Sequence, residues 1–212
     1  MKSYIKMVFL IITMVMIFGF STSEASEIKD FDPPWVKDLY QMLTDNAEDD
    51  IDGAEAYGIV SSAIEEMREF AGDQGSLKYV NSVLIACLVS RKSAWHIKER
   101  TKMGKIGLML VATDNRTLNY LKELGLIENY KDLYNWRKNL LVGTLLFCSR
   151  AAENDDIMDA IAVEVDGEYR YWRDKTARRW GLQYAEKVVE DYNFIVSRYK
   201  QREAMKKKRK SD

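Results

Sequence analysis

The chain has 212 residues, 47% of them hydrophobic and 31% charged, a balance that suits one folded globular domain and argues against collagen-like, disordered and multi-pass membrane classes. Its 32 Lys and Arg against 33 Asp and Glu leave a formal net charge of -1, so no broad nucleic-acid footprint is expected and any charge effect has to be local. Two prolines and eleven glycines supply little of the punctuation that a turn-rich fold needs, which points to helices.

The first segment stands outside the fold. Lys2 and Lys6 precede an apolar run from Met7 to Phe20, and Ser23-Glu24-Ala25 supplies a small-x-small cleavage signal, so residues 1–25 read as a secretory signal peptide with the mature chain starting at about Ser26. An apolar run of about 14 residues falls short of the roughly 20 that span a bilayer, and no stable membrane span is expected after cleavage. No cysteine near the site could carry a lipid anchor. The expected location is periplasmic or extracellular.

An acidic stretch follows, with Asp45, Glu48, Asp49, Asp50 and Asp52 close together. It lacks the ligand spacing of a calcium-binding EF-hand and reads as a solvated turn within a helical N-terminal extension over residues 26–74. Tyr57, Val60, Ile64, Met67 and Ala71 recur at three- and four-residue steps, and Tyr79, Val80, Val83, Leu84, Cys87 and Leu88 do so again. Each series marks a helix face that needs a core, and Gly72-Asp73-Gln74-Gly75 breaks the chain between them. Asn139 to Arg150 is apolar nearly all round, as expected of a central buried helix. Tyr184, Val188, Tyr192, Ile195 and Tyr199 predict a long amphipathic closing helix. The chain ends on Lys206, Lys207, Lys208, Arg209 and Lys210, which read as a disordered solvated tail over 200–212 or, alternatively, as a contact for anionic lipid or cell-wall polymer.

Cys87 and Cys148 both sit in apolar helical runs. Buried free thiols are the plain expectation, and an exported protein also permits a bridge between them if their helices pack side by side. With a single histidine, His96, and no clustered cysteines, neither a metal site nor a cofactor is expected.

The most informative stretch is Lys92-Ser-Ala-Trp-His-Ile-Lys-Glu-Arg-Thr101-Lys-Met-Gly104-Lys-Ile-Gly107-Leu-Met109-Leu110. Ser93, Trp95, Thr101, Gly104, Gly107, Leu108 and Met109 fall in ungapped register with a signature that ends a helix on Glu-Ser-x-aromatic and continues through a Ser to Gly-x-x-Gly-Leu-Met-Gln. Asn139-Leu140 with Gly143, then Ala160 to Gly167, then Tyr184-Ala-Glu-Lys-Val188 with Tyr192 match later elements in the same order. On these residues the chain resembles the soluble lytic transglycosylase family, lysozyme-like enzymes that cleave peptidoglycan glycan strands, over roughly residues 75–199. The resemblance implies an all-α, lysozyme-like domain, peptidoglycan as partner, and a substrate groove holding Ser93, Trp95, Thr101, Gly107, Met109, Leu110 and Val165.

Three polar positions of that signature have changed together. Lys92 stands where the family holds its catalytic Glu, Leu110 replaces the Gln, and Glu164-Val165 replaces a Tyr-Asn pair. The family's single acid protonates the glycosidic oxygen and then acts as base while the sugar closes to a 1,6-anhydro product. A lysine, with a reference pKa of about 10.4, is a poor proton donor near neutrality, and a cation beside an oxocarbenium-like transition state repels where a carboxylate attracts.

Two carboxylates are stand-ins for the lost acid. Glu99 reads as an exposed loop residue, and Glu164 either forms an ion pair with Lys92 or serves as a relocated acid. Trp95 either floors the cleft or stacks on sugar, His96 reads as a loop residue without a triad partner, and Gly104 and Gly107 serve backbone geometry. The leading expectation is an exported, catalytically degenerate relative that binds glycan or an envelope or secretion-machinery protein, with neither nucleic acid nor membrane span. An active enzyme using Glu164 is the alternative.

Overall fold

In a computed structural model of the chain, the described residues are 32–166 and 168–211; the expected signal peptide lies outside them. They form a mostly helical protein whose order is α1 (Trp35–Asp45), α2 (Gly53–Ala71), a 3-10 turn (Leu77–Tyr79), α3 (Ser82–Ser93), β1 (Lys105–Ile106), β2 (Val111–Ala112), α4 (Asn115–Glu123), a 3-10 turn (Tyr130–Tyr134), α5 (Trp136–Glu153), α6 (Ile157–Asp166), α7 (Glu168–Arg173) and α8 (Lys175–Ser211). The all-α expectation therefore holds, with one antiparallel two-stranded hairpin among the described residues. No helix among them is long and apolar enough to cross a membrane.

The chain divides into two compact units, which cut across the linear scheme of an extension over 26–74 and a domain over 75–199. One takes residues 32–63 and Lys92–Thr144, the other Ile64–Arg91 and residues 145–211.

In the first unit, α1 buries Val36, Leu39, Tyr40 and Thr44, the i, i+3, i+4, i+8 spacing of one helix face. The acidic stretch forms the expected turn, and Asp52 ends it by accepting the Ala54 and Glu55 amides at 2.8 and 3.0 Å, a side-chain cap for donors that the first turn of α2 leaves open. Gly53 starts α2 against the α1 backbone, where a Cβ would lie 2.5 Å from the Gln41 Cα. Asp49 reaches forward to accept the Ile97 amide at 2.7 Å and so ties this turn to the loop after α3.

In the second unit, the expected face of α2 is buried through Ile64 and Met67, and the break that follows carries Gly72 and Gly75 at φ +63° and +54°. Gly75 lies where any side chain would collide with the Ala151 and Ala152 carbonyls. Tyr79, expected on the face of α3, is exposed instead. Val80 is extended, and α3 restarts only at Ser82, where the Asn81 side chain accepts the Leu84 amide at 3.0 Å. The closing helix α8 packs on α6 where Gly181 allows close approach to Ala162. It is fixed to α3 by a bidentate Arg91–Asp191 pair at 2.5 and 2.8 Å, and to Asn81 by its Tyr192 hydroxyl at 3.0 Å. Unlike the expected disordered tail, residues 200–211 continue α8 as helix.

Cys87 and Cys148 are both buried free thiols. Burial pushes each thiol up to about 12, with the Asp191 charge adding to the rise at Cys87, so the thiolate that reacts is scarce near neutrality. An alkylating reagent at about pH 8, close to the ordinary thiol range, should leave both unlabelled in the native protein and label both after denaturation. Fast native labelling, or an intact mass lighter by two hydrogens, would contradict this assignment.

Candidate functional site

The stretch that carries the sequence signal folds within the first unit. Thr101 organises its start. The Thr101 amide donates to the Lys105 carbonyl at 2.9 Å, its own carbonyl accepts from Gly104 at 3.1 Å, and its hydroxyl accepts the Lys105 amide at 3.2 Å. Gly104, at φ +78°, makes that tight turn, and the chain then pairs Lys105 with Ala112 and Ile106 with Val111.

Between the two strands lies the turn Gly107-Leu108-Met109-Leu110, closed by a Leu110 amide to Gly107 carbonyl bond at 3.0 Å. A fully buried side chain from α5 holds it. Asn139 accepts the Met109 amide at 2.8 Å and donates to the Ile106 and Leu133 carbonyls, each at 2.9 Å. The Leu133 carbonyl is itself positioned by the preceding 3-10 turn, which is capped by reciprocal Asn129 and Asp132 contacts. All the hydrogen-bonding atoms of the Asn139 amide are thus committed to backbone, the condition under which a buried amide is tolerated.

The glycines of the signature follow from this contact. A Cβ on Gly107 would lie 2.1 Å from the Asn139 Nδ2, and Gly107 also sits at φ +78°. A Cβ on Gly143, one turn along α5 from Asn139, would lie 2.2 Å from the Met109 Cβ. Spacing four apart puts Asn139 and Gly143 on one helix face, so the turn rests on a polar staple beside a bare backbone position that Met109 fills.

Lys92 closes the same turn from the other side. It is half-buried near the end of α3, and its Nζ donates to the Met109 carbonyl at 2.7 Å. Ser93, the last residue of α3, is buried and its carbonyl accepts the His96 amide at 2.9 Å. Trp95 is 2% exposed and meets the Tyr40 ring edge-on at 5.6 Å, with Tyr40 in turn edge-on to Tyr57 at 5.8 Å. Of its two sequence readings, the packed floor describes this geometry. Glu99 is half-buried and gives its carbonyl to the Gly107 amide at 2.9 Å, while Leu110 is half-buried beside the turn.

Backbone strain gathers here. Ala94, Trp95 and Leu110 are the non-glycine residues at positive φ among the described residues, at +49°, +67° and +48°. Each costs about 1 to 3 kcal/mol in isolation, and such residues concentrate where a site demands a backbone that packing alone would not choose. All three fall within Lys92–Leu110.

Glu164 and Val165 belong to the second unit, on α6. The Glu164 carboxylate, 9% exposed, is paired with the Arg150 guanidinium from α5, a partner the sequence reading missed. Its signal was Arg150 itself, the one charged residue in the otherwise apolar segment from Asn139 to Arg150. No group of His, Cys, Asp and Glu that could hold a metal occurs among the described residues. No protein-family model matches the chain, and neither a curated protein nor a solved structure does.

Replacing Asn139 with Ala strands one buried amide N–H and two carbonyls, and should cost about 3 to 5 kcal/mol in denaturant unfolding. Gly107→Ala, which meets both the clash and the positive φ, should cost about 2 kcal/mol or more. Lys92→Met should cost about 1 to 2 kcal/mol by leaving the Met109 carbonyl unbonded. A loss below about 1 kcal/mol for Asn139→Ala would mean that the staple does not hold the turn.

Proposed function

We propose that the chain is an exported, lysozyme-like protein of the lytic transglycosylase type that has lost its acid-base centre and works as a peptidoglycan-binding module. The observation that carries this reading is the side chain at position 92. Its ammonium is bonded to the Met109 carbonyl within the turn that the resemblance assigns to the groove, so a structural cation stands where cleavage calls for a proton-carrying acid. The ordered spacing of Thr101, Gly107, Met109, Asn139 and Gly143 supports the lysozyme-like reading, since each has a backbone-shaping task around one turn. The positive-φ backbone at Ala94, Trp95 and Leu110 also supports a binding reading, since such strain gathers where a site demands it.

A relocated acid at Glu164 fits less well. A general acid needs a carboxyl free to hand on a proton, whereas this one is taken up by its contact with Arg150. Recognition of an envelope or secretion-machinery protein by the same surface is the second form of the binding reading.

The test uses insoluble purified peptidoglycan. The protein should cosediment with it, be competed off by soluble glycan fragments, and release no 1,6-anhydro products above a boiled control. Release of such products, lost in Glu164→Gln, would overturn the degenerate assignment. Binding that ignores glycan competitors and vanishes at high salt would reduce the interaction to charge alone.

A further inference from the structure

We propose that one face of α8 is a docking surface for an anionic phospholipid bilayer. The helix runs from Lys175 to Ser211, roughly 55 Å at ~1.5 Å per residue, and buries Ala177, Ala185 and Val188 in its own unit. On a different face, Trp180, Phe194 and Met205 are 66%, 61% and 58% exposed. At ~100° per residue these three fall within roughly 40° of one another around the helix, on one face but spaced about 21 and about 16 Å along its axis. Exposed Lys187, Arg198 and Arg202 interleave with them, and the Arg198 guanidinium lies 5.3 Å over the Phe194 ring. Asp191, an acid on the same face, is neutralised by its bidentate pair with Arg91.

Charge chooses the occupant. Between Arg198 and Lys210 eight Lys and Arg residues stand against one acid, Glu203, on a chain whose total charge is near zero. Exposed apolar and aromatic side chains set beside long cations suit a membrane interface, where Lys and Arg stems reach past the rings so that the rings meet the acyl boundary and the cations meet anionic headgroups. A bare polycation tail would need no apolar face, and an apolar partner groove would need no cations. The surface uses none of the residues of the Asn139 staple, so it stands whether or not the glycan reading does.

The experiment takes the chain from Ser26, the form left by the expected cleavage, which keeps every described residue. It measures pelleting with vesicles of phosphatidylcholine alone and of equal parts phosphatidylcholine and phosphatidylglycerol. Binding to the anionic vesicles should be at least about tenfold stronger and should weaken with salt. Trp180→Ser, Phe194→Ser and Met205→Ser combined should lower it by about tenfold. Unchanged helical circular dichroism and thermal unfolding will certify the fold of that variant. As an independent readout, anionic vesicles should shift tryptophan emission to the blue in the unaltered protein and less so in Trp180→Phe. Equal binding of the triple variant, absence of a preference for anionic vesicles, an identical emission shift in Trp180→Phe, or tighter binding to duplex DNA than to vesicles would each overturn the proposal.

Discussion

One buried carboxamide constrains the first unit more than any other group in it. Asn139 has no water to fall back on, so its three bonds to the Met109 amide and to the Ile106 and Leu133 carbonyls must all be made. Making them fixes the height of the Gly107–Leu110 turn above α5, removes the side chain from position 107, and brings Met109 so close to α5 that position 143 must be glycine as well. The two short strands then have their register, because both leave from the ends of that turn. Motif residues usually read as signs of chemistry are here consequences of satisfying one amide.

That constraint also gives meaning to the substitution at position 92. With the Met109 N–H taken by Asn139, the Met109 carbonyl is answered by the Lys92 ammonium, so the peptide group on either side of Met109 is held by a side chain from a different helix. A carboxylate in place of Lys92 could not donate to that carbonyl. The cation therefore suits a turn that is held rather than a proton that is passed. Trp95, at positive φ in the neighbouring loop, is buried against Tyr40.

Much of this was legible in the residues. Periodicity located the buried faces of α2 and α3 because helical burial repeats every three to four residues whatever lies opposite, whereas of the face expected for α8 only Val188 is buried. The glycines of the Gly-x-x-Gly-Leu-Met stretch marked the turn, whereas Asn139 and Gly143 entered only as an element of the resemblance and the hold of Asn139 on the turn came from the structure. What stayed hidden depended on partners distant in sequence. Trp95 could be read as floor or as platform until Tyr40, from a helix some fifty residues earlier, was seen to cover it. Glu164 was weighed against Lys92, whereas its partner within its own unit is Arg150. Tyr79 kept helical spacing, yet an extended Val80 placed it outside α3, a local backbone event that side-chain pattern does not encode. The basic end looked like a disordered tail because like charges repel, but Ala204 and long straight-chain cations are good helix formers and extend α8 through it.

Amide hydrogen exchange at Met109 tests the central claim most directly. If the Asn139 side chain holds the turn, the Met109 amide exchanges only through global opening, as slowly as the buried amides of Leu140 and Val142 in α5, and Asn139→Ala speeds it selectively. A Met109 amide that exchanges at near-unprotected rates while α5 remains protected would show that the turn is free of its support, and the account built on Asn139 would fall.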